Sequence, residues 1–209
     1  MKIISIQPLA LPQILVIQYK RFSDERGYFT ETFNKKDICS LNNISSLTKF
    51  SIKQSNESFS HKNTIRGLHF QWNPFMGKLV RTVYGHMVDV VLDIRPNSET
   101  FGKAILYDMP ANQSDSFSEL IWVPPGFAHG NFFLEETLIE YYCDGTYNPG
   151  GEMGIFPFSS EIDWSLVDSQ LYAQFAALKT KCLMSPKDKK GLDLTEWKKN
   201  ANSNLFSKL

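Results

Sequence analysis

The chain predicts an all-β fold, a double-sheet jelly-roll barrel with a few short peripheral helices. Sixteen Phe and eight Tyr, together with many Val and Ile, favour short half-buried strands. Turn-forming corners punctuate them at Asp24-Glu25-Arg26-Gly27, Arg95-Pro96-Asn97-Ser98, Pro124-Pro125-Gly126 and Tyr147-Asn148-Pro149-Gly150-Gly151. The Cys-Trp-Cys spacing of an immunoglobulin sandwich is missing, so the jelly roll is the better fit.

Along the chain, Phe33-Asn34-Lys35-Lys36-Asp37-Ile38 starts a short helix. Leu68-His69-Phe70-Gln71 reads as a strand whose alternation sets His69 and Gln71 opposite Leu68 and Phe70. Val80 to Tyr84, a Gly85-His86 turn and the more apolar Met87 to Ile94 read as a hairpin. Thr137 to Glu140 is a strand running into Tyr141 and Tyr142, whose rings point to opposite faces, one packing and the other facing a cavity. Ser169 to Leu178 has helical spacing of Leu171, Phe175 and Leu178. Residues 1–190 are read as one domain and 191–209 as a polar tail with one Trp197, either a loosely docked helix or partly disordered.

Bulk properties narrow the function. With 22 basic and 22 acidic side chains the net charge is zero, so nothing favours nucleic acid or a membrane surface, and any anion site is local. The start, Met1-Lys2-Ile3-Ile4-Ser5, lacks a secretory pattern, and no apolar run is long enough to span a bilayer. A cytoplasmic protein is expected. Cys39, Cys143 and Cys182 match neither a metal pair nor a disulfide framework and are expected to be reduced. The glycosylation-like triplets Asn43-Ile44-Ser45 and Asn56-Glu57-Ser58 then have no compartment in which to act.

The chemistry concentrates in Thr64 to Gln71 and Gly77 to Arg81, where His69 stands among Arg66, Lys78 and Arg81. An imidazole that exchanges protons near neutral pH, with cations nearby to hold negative charge, fits acid–base chemistry on an anion. Standing alone, His69 would read as a structural histidine. Its company argues otherwise, because His129 is aimed by the rigid corner Pro124-Pro125-Gly126. Metal binding competes, since jelly-roll barrels hold divalent ions through His-x-His, a Glu and a later His. Here Gln71 replaces the second histidine and no Glu follows before Val83, leaving only His69 and His129. His61 and His86 read as loop or turn residues, and Asp188 as an ordinary turn aspartate.

Several segments, in order, resemble the dTDP-4-dehydrorhamnose 3,5-epimerase family, cupin-type jelly rolls of nucleotide-sugar metabolism. They are Asp24 to Glu31, Gln54-Ser55-Asn56, Ile65 to Gln71, Gly77 to Arg81, Asp93-Ile94-Arg95, Pro124 to Gly130 and Met184 to Asp188, covering about residues 5 to 190. The resemblance implies His69 as base oriented by Asp188, Tyr142 as acid on the opposite sugar face, and Lys78 as stabiliser of the enolate. It implies that Arg66 grips a diphosphate, that Arg26, Phe29, Glu31, Gln54 and Asn56 contact the nucleotide, and that His129 and Lys187 complete the substrate site. A homodimer with an exchanged N-terminal strand is implied, with Arg26, Phe29 and Glu31 reaching across it. No metal or other cofactor is required. One departure stands out: Tyr147-Asn148 replaces a pair of tyrosines common in the family.

The expected activity is therefore cofactor-independent epimerisation of a nucleotide-linked 4-keto-6-deoxy sugar at C3, C5 or both. A one-carbon epimerase on another nucleotide sugar, a metal-dependent cupin oxygenase or isomerase, and a non-catalytic sugar-nucleotide binder are the alternatives. The last has no need of an acid and a base.

Overall fold

Alternation along the strands sorts the apolar side chains into three layers around two sheets, seen here in a computed structural model that describes residues 1–41, 44–111, 114 and 116–209. Asn43, and with it the first glycosylation-like triplet, lies outside the described residues.

The early strands are β1 (Ile3–Pro8), β2 (Leu15–Lys20), β3 (Phe22–Asp24), β4 (Gly27–Phe29), β5 (Gln54–Ser60) and β6 (Ile65–Gln71). Then come β7 (Lys78–Tyr84), β8 (His86–Asp93), β9 (Ala104–Pro110), β10 (Phe117–Val123), β11 (Phe127–Phe133), β12 (Thr137–Cys143) and β13 (Glu152–Gly154). The α-helices are α1 (Lys35–Cys39), α2 (Ser45–Thr48), α3 (Ser169–Ala176) and α4 (Leu194–Lys199). A six-stranded sheet runs β1-β2-β10-β7-β12-β5 and faces a five-stranded sheet, β13-β6-β11-β8-β9, while β3 and β4 form a separate hairpin. This is the all-β double-sheet jelly roll the sequence predicts.

Register explains the layers. On β8, Met87 and Val91 point between the sheets, where they meet Val80, Ile121 and Ile139 of the opposite sheet. Their neighbours Val88, Val90 and Leu92 point outward into a second cluster with α3, α4 and the C-terminal segment. On the far side, Tyr19, Leu79, Trp122 and Tyr142 form a third cluster under α1 and α2. Local signals start the helices: Asn34 caps α1 by accepting from the amides of Lys36 and Asp37, and Asp168 caps α3.

Two expectations are corrected. β7 and β8 do not pair as a hairpin, because they belong to different sheets. The chain crosses between sheets at Gly85, where φ is +82° and an added Cβ would lie 2.2 Å from the Glu136 carbonyl oxygen. Apolar alternation reports burial but not which strand lies alongside.

Of the two readings left open for the tail the helix is the one present, and it is docked rather than loose. α4 opens with an Asp193–Glu196 capping box, a 3₁₀ helix follows over Ala201–Lys208, and Trp197 and Phe206 are both 0% exposed. Burying a ring of that size contributes roughly 1.5–3 kcal/mol, and the Trp197 indole N–H donates to the Ile94 carbonyl at 2.8 Å. A polar segment with two large aromatics on one side can dock where its average composition reads as disordered.

Candidate active site

His69 projects from β6 into the space between the sheets, beside His129 on β11, its cross-strand partner. That close pairing depends on Gly67, whose φ is +103° and whose added Cβ would sit 2.6 Å from the His129 carbonyl oxygen. The opposite sheet supplies Lys78, Tyr141 and Cys143, with Lys78 paired to Cys143 and Tyr141 to Asn56. Gln54 and Asn56 close the wall from β5. Together they enclose a cavity of about 360 Å³. A second compartment of about 250 Å³ shares His69, Lys78, His129, Tyr141 and Lys187 with it and adds Arg66 and Asp188.

The Nε2–H of His69 donates to Asp188 Oδ1 at 2.6 Å across a separation of 119 residues. A donor at Nε2 leaves Nδ1 as the lone-pair nitrogen of the neutral ring. Asp188 is buried, which alone would raise its carboxyl. The bond and charge of His69, with Ser185 and Lys187, outweigh that and hold it below the ordinary aspartate value. His129 forms a second pair, its Nε2 lying 2.6 Å from Asp89 Oδ1, which also accepts from Asn131 at 3.0 Å.

Lys78 opens onto the cavity yet is surrounded by protein. Burial pushes its ammonium below the ordinary lysine value, while Cys143, Asp89 and Glu152 work in the other direction. Burial raises the Tyr141 phenol, Cys143 adds to the rise and Arg66 opposes it, so at neutral pH the ring carries its proton.

Tyr142 is corrected. Its register partner Leu79 points out of the barrel, and Tyr142 follows it into the outer cluster beneath Phe33, 5.5 Å away between ring centres. There its hydroxyl donates to Glu140 at 2.9 Å, and Glu140 in turn pairs with Arg81. The phenol in the cavity with His69 is Tyr141. Counting residues from His129 points to the wrong neighbour, because one position along a strand exchanges the faces.

Of the other expected site residues, Gln54, Asn56, His129 and Lys187 line the main cavity. Gln54 donates to Asn56 at 2.8 Å and accepts from the Tyr147 amide at 2.8 Å. Arg66 lies at the second compartment, braced by Ser60 Oγ at 2.8 Å and the Phe59 carbonyl at 2.9 Å. Arg26, Phe29 and Glu31 do not line either compartment within this chain. Arg26 pairs with Asp24 at 2.7 Å, Phe29 is 67% exposed, and Glu31 meets the Met1 amino group at 2.9 Å. Asn148 likewise stays out of the cavity and serves as a turn cap, accepting from the Gly150 amide and donating to the Asn73 carbonyl.

Sequence reading missed Asp89, Asn131 and Glu152. A carboxylate inside the apolar run Met87-Val88-Asp89-Val90 was a signal, since a charge buried in a strand needs a partner. Glu152 gave none; it pairs with Lys187 and accepts from the Tyr147 hydroxyl at 2.7 Å. Among the described residues no group of three or more His, Cys, Asp or Glu side chains is placed to hold a metal ion.

Comparison with known proteins bears on this arrangement directly. Residues 8–196 match the family described as dTDP-4-dehydrorhamnose 3,5-epimerase. The chain is 38% identical over 158 residues to the Shigella flexneri dTDP-4-dehydrorhamnose 3,5-epimerase, spanning 74% of this chain and 83% of that one. It is 34% identical to the Escherichia coli K12 enzyme of the same name, over 89% of this chain and 92% of that one. Among solved structures, the Legionella pneumophila dTDP-6-deoxy-D-glucose-3,5-epimerase in complex with dTDP-4-keto-L-rhamnose superposes with a TM-score of 0.79 at 30% identity, covering 95% of this chain and 96% of that one. With two sheets, a histidine–aspartate pair and a phenol in one cavity, and these matches along nearly its whole length, the chain belongs to the dTDP-4-dehydrorhamnose 3,5-epimerase family.

Proposed function

We propose that this protein is an isomerase that epimerises a dTDP-linked 4-keto-6-deoxy sugar at C3 and C5, a step of dTDP-rhamnose and deoxysugar biosynthesis. The observation that carries this reading is the 2.6 Å His69–Asp188 pair opening onto the same cavity as Lys78 and Tyr141. Protons on the carbons flanking a 4-keto group become acidic once the C4 oxyanion is stabilised. Lys78 supplies that stabilisation. His69 removes the proton, and Asp188 holds the ring and favours the imidazolium that forms. Inversion requires the proton to return from the other face, and the Tyr141 phenol, carried on the opposite sheet, is the donor. After each inversion solvent returns a proton to the phenolate and takes one from the imidazolium, so that the pair is reset. The scheme moves only protons, so no redox group enters its balance.

The polar wall reads as the nucleotide side. Arg66 and Lys187 take the diphosphate, a task suited to a forked guanidinium, and Gln54 and Asn56 take the base or sugar. Arg26, Phe29 and Glu31 have a role if they complete the site of a second subunit. A homodimer that exchanges the N-terminal strand would bring them there, and β1 stands at the edge of its sheet, with one side unpaired among the described residues. The enzyme would work in the cytoplasm, a compartment that keeps the free thiols of Cys39, Cys143 and Cys182 reduced.

Incubation with dTDP-4-keto-6-deoxyglucose in deuterated water, followed by NMR, tests the reading. Deuterium at C3 and C5 with inverted products is expected. Exchange at one carbon alone would make it a one-carbon epimerase, and no exchange at either position would remove the epimerase reading.

A further inference from the structure

Behind the cavity, on the outer face of the five-stranded sheet, lies a packed group of aromatic rings that the chemistry above does not use. Alternation on β6 sends His69 inward and Phe70 outward. Phe70 meets Trp197 at 4.6 Å and Phe206 at 5.6 Å between ring centres, and Phe206 also meets Phe75 at 5.2 Å. Trp197 and Phe206 are fully buried, and they lie beyond residue 196, where the family match ends.

The same segment holds the other half of the pair. Asp188 opens a 3₁₀ turn, Asp188–Lys190, that runs straight into the bridge between Leu192 and Ile155. Leu192 donates to the Gly154 carbonyl and accepts from the Phe156 amide, both at 2.9 Å. From there the chain enters α4, whose Trp197 indole is fixed to the Ile94 carbonyl. One docked segment therefore presses on the strand carrying His69 and anchors the turn carrying Asp188.

We infer that residues 192–208, through Trp197 and Phe206, are a positioning element that sets the His69–Asp188 distance. These are positioning residues: they touch neither compartment. The inference rests on the epimerase reading for its kinetic test alone. Of the groups proposed to grip the nucleotide, Gln54 and Asn56 come from β5 of the opposite sheet, while Arg66 shares β6 with His69, so disturbing the segment falls on the chemical step more than on substrate binding.

The test uses full-length Phe206→Ala and Phe206→Leu. Two readouts are taken below each variant's melting temperature: kcat and KM with the keto sugar, and the downfield proton NMR signal of the His69 ring N–H, assigned by its loss in His69→Ala. The expected result is a kcat lowered about tenfold or more in Phe206→Ala, a KM within about twofold of wild type, and a ring N–H signal moved upfield or broadened. Phe206→Leu should give smaller changes of the same kind. A variant that melts early yet keeps the wild-type kcat and signal would overturn the inference, and if Phe206→Ala does not fold, Phe206→Leu carries the same two outcomes. Absence of turnover in the wild type would count against the epimerase reading only, because the NMR signal needs no substrate.

Discussion

Two histidine–carboxylate pairs meet the cavity, each at 2.6 Å, and they are built in opposite ways. His129 and Asp89 sit on adjacent strands of one sheet, so β-pairing alone brings them together. Their side chains are 8% and 0% exposed. His69 takes its carboxylate from a turn 119 residues away and is itself 32% exposed. Equal geometry thus hides unequal access: one pair is sealed into the wall, while the other presents a ring to whatever fills the cavity. A hydrogen-bonded histidine becomes a base only when substrate can reach it.

Separating the two pairs is the most direct way to break this comparison. His69→Ala should cost turnover on the order of 10²–10⁴-fold, the loss of a partner for the buried Asp188 adding a cost in stability. His129→Ala should act mainly on stability, by about 1–3 kcal/mol, because it strips a partner from a fully buried carboxylate. Turnover assays beside denaturant melts check both, and a His69→Ala protein with wild-type turnover would remove the base assignment.

The adjacent tyrosines sharpen the contrast between inside and outside. Tyr141→Phe should cost net epimerisation at least about 10²-fold while deuterium exchange catalysed by His69 partly survives. Tyr142→Phe loses its bond to Glu140, worth about 0.5–1.5 kcal/mol, and should keep turnover within a few-fold. Product and exchange analysis by NMR distinguishes them, and the reverse pattern would return the acid role to Tyr142.

The smallest effect is a pH dependence. Asp188 is held below the ordinary aspartate value, so its stabilising contribution is fully present above about pH 3.9. It is lost as pH falls through the depressed native value. The stability difference between wild type and Asp188→Asn, from denaturant melts at several pH values, should therefore shrink as pH falls below about pH 4. A difference that stays constant into strong acid would mean that the carboxylate charge is not what stabilises the pair.

Much of the site was legible because strands make local rules. The two-residue period set His69 and Gln71 opposite Leu68 and Phe70, and the structure keeps that division. The same period split Tyr141 from Tyr142 correctly but carried no label for the inner face. That label comes from the neighbours: Cys143 lies opposite Lys78, and Tyr142 opposite Leu79. The β7–β8 corner failed for a related reason, since a glycine between two apolar runs looks alike whether the chain folds back within a sheet or crosses to the next.

Composition and periodicity by themselves determined the all-β class, the faces of β6 and the short helices near residues 33–38 and 169–178, while the resemblance of the chain's motifs to one family implied that His69, Lys78 and Asp188 act together. These depend on contacts within a few residues, and such contacts are written in the local order of side chains. Only the tertiary structure decided which tyrosine faces His69, that Asp89 is the carboxylate paired with His129, and that Trp197 and Phe206 pack behind the reacting strand. Those choices depend on which sheet each strand joins and on where distant segments dock, and both are settled by burial summed over the whole barrel.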